Sequence, residues 1–140
     1  MKKYIFILGM IVSSFTLAAS DFYEKNYRAP NIYGDGGWGT TFFTRPSTTP
    51  LNGTSITNVT WDWGNYTNGA HTQVMELCYR IQYTQIQDPC ITITSVPSGS
   101  TNAFNGLSAR GSFDLRHTLY GGSYPVYPSH KDYIKINYDY

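Results

Sequence analysis

The sequence predicts an all-β fold, a single antiparallel β-sandwich of about six to eight strands with one disulfide. Three observations predict it. Aromatic residues make up 16% of the 140-residue chain against 14% charged, with 13 tyrosines and 13 glycines, a composition that suits half-buried pleated surfaces joined by turns. Alternating polar and apolar residues recur at regular spacing, the period of two that strands require. No stretch of a dozen residues carries a helical period, and short strands punctuated by turn residues read as a sandwich.

The chain opens with Lys2 and Lys3, a nearly continuous apolar run over residues 4–17, and the small residues Ala18, Ala19 and Ser20. This is the pattern of an export signal cleaved after Ala18 or Ser20. The apolar run is shorter than the roughly 20 residues a membrane span needs, so residues 1–20 read as a removed leader and not an anchor. What remains is about 120 residues, enough for one hydrophobic core. The full chain has 10 Lys and Arg against 9 Asp and Glu. Without Lys2 and Lys3 the balance is 8 against 9, which speaks against nucleic acid as a partner, because phosphate binding needs clustered cations.

Residues 21–50 are rich in Tyr, Gly, Pro and Thr and read as an N-terminal extension. It carries one strand over 38–44, after the turn-prone Gly34-Asp35-Gly36-Gly37. These glycines are no phosphate loop, since neither Lys-Ser/Thr nor a helix pattern follows. The sandwich core spans 51–140, with 38–50 in the same domain. Over 55–63, Thr57, Val59, Trp61 and Trp63 are placed on one face, Ile56, Asn58, Thr60 and Asp62 on the other. The two tryptophans share Val59's face and are expected in the core. Residues 65–69 read as a turn.

Over 73–83, Met75, Leu77, Tyr79, Ile81 and Tyr83 alternate with Glu76, Cys78, Arg80 and Gln82, which puts Cys78 on the more polar face. Residues 90–96 form the next strand, and 97–106 a Ser, Gly and Asn loop. Over 111–120, Phe113, Leu115, His117 and Leu119 share an apolar face, so His117 is expected as a core or rim histidine satisfied by one hydrogen bond. Gly121-Gly122 ends that strand, Pro125 and Pro128 stiffen the following loop, and Ile134, Ile136, Tyr138 and Tyr140 alternate along a C-terminal strand.

Cys78 and Cys90 are the two cysteines of the chain. In an oxidising compartment an even pair in a small domain forms a disulfide, and a hairpin would join these two off the core face. No metal site is expected: His71, His117 and His130 have no zinc-ligand spacing, and no Cys-x-x-Cys redox pair occurs. Asp62, Glu76, Asp114 and Asp132 fall on outward strand positions, where solvation is their expected role, and no Gly-x-Ser-x-Gly occurs. An enzyme is therefore not expected, nor a cofactor. Asn52, Asn58 and Asn65 begin glycosylation sequons, inert in a bacterial host. Tyr120, Tyr124 and Tyr127, around the Gly-Gly and Pro turns, are the candidate exposed binding patch, since aromatic rings give large contact area at small entropy cost.

Over roughly 50–140 the residues also carry a family resemblance. Pro50-Leu51 is followed by Ile56-Thr57-Asn58-Val59-Thr60-Trp61, Glu76-Leu77-Cys78 and Cys90. Then come Ser98-Gly99-Ser100-Thr101 with Phe104, Ala109, Phe113-Asp114-Leu115-Arg116, Gly121-Gly122 and Ile134-Lys135-Ile136-Asn137-Tyr138. In this order they resemble FlhE, the periplasmic flagellar protein of enteric bacteria. The chain departs from that family in a longer Cys78-to-Cys90 spacing, in Trp61-Asp62-Trp63 where the family carries a basic residue after the tryptophan, and in its Tyr-rich ends.

The resemblance implies a small exported β-sandwich without enzymatic activity. It would meet flagellar rod, hook or export components by protein contact in the periplasm, limiting leakage through the export channel or acting as a chaperone. The alternative is a secreted surface protein: a pilus-type subunit or adhesin, or a dispersal or carbohydrate-binding module for which a glycan is the partner. Pilus-type subunits exchange an edge strand with a neighbour, and residues 133–140 are the segment that would be exchanged.

Overall fold

In the computed structural model, which describes residues 18–67, 70–81 and 87–140, eight strands build two four-stranded antiparallel sheets. They are β1 (Ser20–Arg28), β2 (Trp38–Phe43), β3 (Ser55–Asp62), β4 (Thr72–Arg80), β5 (Gln87–Thr92), β6 (Ser98–Thr101), β7 (Ser112–Tyr120) and β8 (Lys131–Asp139). The first sheet runs β1-β8-β3-β6 and the second β2-β7-β4-β5. β1 pairs with β8, β2 with β7, β3 with β6 and β4 with β5, so the chain is one long two-stranded ribbon whose successive rungs fall into alternate layers. This is the jelly-roll arrangement of a double-sheet sandwich. Among the described residues there is no helix, and none long and apolar enough to cross a membrane. The expected antiparallel sandwich is the fold found.

The inward residues of both sheets form the main core. Phe43, Val59, Met75, Leu77, Leu115, Ile134 and Ile136 are sealed from solvent. Phe113 stands edge-on to both Phe104 and Tyr79, at 5.2 Å and 5.4 Å between ring centres, the favourable edge-to-face geometry. Trp61 and Trp63 are both buried, as their shared face predicts, and each indole N–H donates to the Val96 carbonyl, at 2.9 Å and 3.1 Å. A smaller cluster of Ile32, Tyr66, Leu119 and Val126 closes one end, with Ala70 and Tyr124 packed against it.

Four expectations need correction. The 21–50 extension holds two strands and not one, because Ser20–Arg28 pairs along β8 over its whole length; even Ala19 exchanges backbone hydrogen bonds with Tyr140 at 3.0 Å and 2.8 Å. In β3 the pairing with β8 shifts between Ile56 and Asn58, a bulge that changes the phase of the pleat. Ile56 is therefore buried and Thr57 exposed, the reverse of strict alternation. Residues 98–101, expected in a loop, form the short edge strand β6 against β3. The strand expected over 90–96 starts earlier, at Gln87, and ends at Thr92. The strand expected over 73–83 is β4, which ends at Arg80; Gln82 and Tyr83 lie outside the described residues, as do residues 68–69 of the expected turn and residues 1–17 of the expected leader.

Candidate functional site

Asp132, at the second position of β8, is aimed into the space between the sheets and is fully buried. Its Oδ2 accepts from the Thr41 hydroxyl on β2 at 2.5 Å and from His117 Nε2 on β7 at 2.6 Å, while Oδ1 accepts from the Gly64 backbone N–H at 2.9 Å. One carboxylate thus ties the first sheet to two strands of the second and to the segment after β3. Burying a charge is costly unless hydrogen bonds surround it, and three donors do so here.

Gly64 is required by close approach: a Cβ at that position would sit 2.3 Å from the His130 carbonyl oxygen. His117 is a core histidine with one hydrogen bond, as its place on the apolar face predicts; the Tyr66 ring stands edge-on to it at 5.5 Å. The Tyr66 hydroxyl donates to the Pro30 carbonyl at 2.5 Å, and Gln73 holds Tyr66 from both sides of its backbone. Burial first, and the Asp132 charge second, push the Tyr66 hydroxyl well above its ordinary range.

A histidine, a carboxylate and a hydroxyl in one network invite comparison with nucleophilic catalysis. That chemistry needs the hydroxyl on the histidine and an approach for substrate. Here the Thr41 hydroxyl is bound to the carboxylate, and His117 and Asp132 are sealed. The arrangement can fasten the sheets together; it cannot present a nucleophile.

Two carboxylates expected on solvated faces are buried, Asp132 and Asp114. Asp114 does lie on the outer side of β7, but Arg80 covers it, with Nη2 at 2.5 Å and Nε at 3.1 Å from Oδ2. Glu76 and Asp62 are half-buried, each with a partner: Arg116 at 3.9 Å and His130 at 3.1 Å. The disulfide joins Cys78 to Cys90, which face each other directly across β4 and β5 with 4.0 Å between Cα atoms. It lies off the core face as expected, yet Cys78 is buried, while Cys90 is exposed.

The three candidate tyrosines do not share one environment. Tyr120 and Tyr127 are each 47% exposed, whereas Tyr124 is half-buried against the Ile32, Tyr66, Leu119 and Val126 cluster. Tyr120 ends β7 beside the turn of Gly36, and the Gly121 N–H next to it donates to Asp35 at 2.7 Å. Sequence reasoning missed other, more exposed rings, among them Trp38 at 67% and Phe42 at 55%. Both project from the outer face of β2, where the Arg116 guanidinium lies over Trp38 at 5.7 Å and Arg80 over Phe42 at 5.2 Å. The signal was present: β2 alternates Trp38, Thr40 and Phe42 with Gly39, Thr41 and Phe43, so large apolar residues fall on both faces, and one face must be exposed.

On the other sheet Lys135 lies 4.1 Å from the Phe22 ring centre, and a shallow groove of about 350 Å³ beside β1 is lined by Glu24, Lys25, Asn26, Tyr27 and Tyr133. The Tyr133 hydroxyl donates to Glu24 at 2.8 Å, and burial, that bond and the Glu24 charge raise it to about 12.

Among the described residues no group of three or more His, Cys, Asp or Glu is placed to hold a metal ion. Fold and site together define a disulfide-bridged jelly-roll sandwich whose interior polar groups hold the sheets and whose exposed chemistry is aromatic. The crystal structure of FlhE has a similar fold, with a TM-score of 0.68 over 88% of this chain and 100% of that chain, at 16% sequence identity. No family model matches the chain, and no curated protein matches its sequence.

Proposed function

We propose that this is an exported, non-enzymatic protein of the FlhE kind, acting in the periplasm by contact with flagellar rod, hook or export components, to limit leakage or to chaperone assembly. The observation that carries this reading is likeness in fold along the whole of FlhE, joined to the motif order that the sequence shares with that family. The sealing of the His117 and Asp132 pair supports a role without catalysis. Pairing of β8 on both sides, with β1 and β3, weighs against the pilus-type alternative. Donating that strand would empty the middle of a sheet. Export fits the start of β1: cleavage after Ala18 leaves the Ala19 to Tyr140 hydrogen bonds intact, and cleavage after Ser20 removes them.

A second reading has its own observation. Trp38 and Phe42 stand exposed on the outer face of a sheet, where rings can stack on sugars, which supports the carbohydrate-binding or adhesive alternative. One experiment separates the two. The full chain is expressed in its own host, cross-linked and recovered, and both the captured proteins and the N-terminus of the chain are read by mass spectrometry. Rod, hook or export proteins captured by a chain beginning at Ala19 are the expected result. Capture of surface glycoproteins alone, with a glycan-dependent shift in tryptophan fluorescence, overturns it in favour of the second reading.

A further inference from the structure

The sandwich has four open strand edges, and three carry the usual guards against pairing with another chain. β1 turns Asp21 and Lys25 toward the sandwich interior side and carries Glu24 and Arg28. β5 contains Pro89, which has no N–H to give, and β6 is four residues long. β2 has none of these devices. Trp38–Phe43 contains no charge and no proline, and among the described residues no hydrogen bond reaches its backbone from the side away from β7. β1, its nearest neighbour in sequence, belongs to the other layer.

The residues on that edge are complementary to themselves. In an antiparallel pair, opposed residues share a face, so an outward residue of β2 can meet only another outward residue. The outward set is Trp38, Thr40 and Phe42. A two-fold axis through Thr40, perpendicular to the sheet, places Thr40 against Thr40 of a second copy and Trp38 against Phe42 twice. Aromatic pairs and Thr–Thr pairs are among the favourable cross-strand combinations. The inward set offers no equivalent, because centring on Thr41 opposes Gly39 to Phe43.

We propose that β2 is a self-pairing edge, through which two copies of this chain join into one continuous eight-stranded sheet, Trp38 of each stacking beside Phe42 of the other. The proposal is independent of the flagellar reading, since it rests on β2 alone. An edge pairing of six residues buries less than the standard interface of about 1,600 Å², so the dimer dissociates on dilution.

The test is sedimentation velocity of the full exported chain over a concentration series, with Thr40→Lys, Thr40→Glu and their equimolar mixture. Thr40 lies beside Arg116 within its own sheet, so the lysine carries the stronger repulsion. Near-ultraviolet circular dichroism confirms that each variant is folded. The expected result is a wild-type mass rising toward two chains with concentration, each variant remaining one chain, and the mixture regaining the two-chain species. Only a direct meeting of residue 40 with its copy gives that recovery. A wild type that stays one chain throughout overturns the proposal and leaves the edge to an extended segment of another protein. Variants that associate as the wild type does overturn it equally.

Discussion

The Asp132 carboxylate does the most for the interior per atom. It collects a hydroxyl from β2, an imidazole N–H from β7 and a backbone N–H after β3. Asp132→Ala leaves all three donors buried without an acceptor, and the expected loss is about 3–5 kcal/mol, the usual range for breaking a buried ionic partner. Thr41→Val removes one donor and keeps the shape, so about 1 kcal/mol is expected. Urea unfolding of the two variants measures both, and equal losses would contradict a hub centred on Asp132. The sequence showed His117 as a core residue through its apolar neighbours at two-residue spacing. It did not show Asp132 or Asp114 as buried, because what buries a carboxylate is a partner from a distant segment: Thr41 is 91 positions from Asp132, and Arg80 is 34 from Asp114. Trp38 and Phe42 were hidden for a related reason, since alternation sorts residues into two faces without saying which face is covered.

At the scale of elements, the strands with one apolar and one polar face were legible, and β3, β4, β7 and β8 lie where the period of two puts them. β1 was not, because its burial is confined to Tyr23 and its remaining positions are polar or exposed on both faces. Its partner β8 supplies the order that its own composition does not. The bulge at Thr57 escaped for want of a turn residue, although Ile56 and Val59, three apart and both apolar, break strict alternation. The β4–β5 hairpin gives the element-level prediction. The disulfide closes a sequence separation of 12, for which chain entropy assigns about 3 kcal/mol. Replacing both cysteines by alanine is expected to lower Tm by roughly 10 °C while the domain stays folded. A calorimetric scan measures this, and loss of the cooperative transition at room temperature would show that the hairpin cannot hold its register without the bond.

Across the whole molecule, buried tyrosines tie stability to pH. Burial raises Tyr23 and Tyr66 far above the ordinary value of about 10, with the charges of Tyr79 and Tyr138 adding at Tyr23 and that of Asp132 at Tyr66; Tyr133 is raised to about 12. A group raised in the folded state favours folding fully below its unfolded value and progressively less above it. Stability is therefore expected to be level with respect to these groups below about pH 10 and to fall steadily above it. Absorbance of tyrosinate, followed together with near-ultraviolet circular dichroism, should show Tyr23 and Tyr66 ionising only as the fold is lost. Ionisation of Tyr23 and Tyr66 in a chain that stays folded would contradict the sealed interior. The sandwich itself was legible from strand count and turn spacing, but the jelly-roll order was not, since period and composition say nothing about which strands pair.

That order has a consequence in time. Ser20 pairs with Asp139 and Arg28 with Lys131, so β1, the first strand to leave a ribosome or an export channel, waits for β8 before it has a neighbour in its sheet. β3 gains β6 along one side earlier but waits for β8 on the other, while the hairpin of β4 and β5 can close as soon as Thr92 emerges. Pairings so distant along the chain close slowly, on the millisecond-to-second scale of non-local β proteins. The layer of β1, β3 and β6 can be completed only after β8 is out, which keeps the protein threadable until that strand has passed.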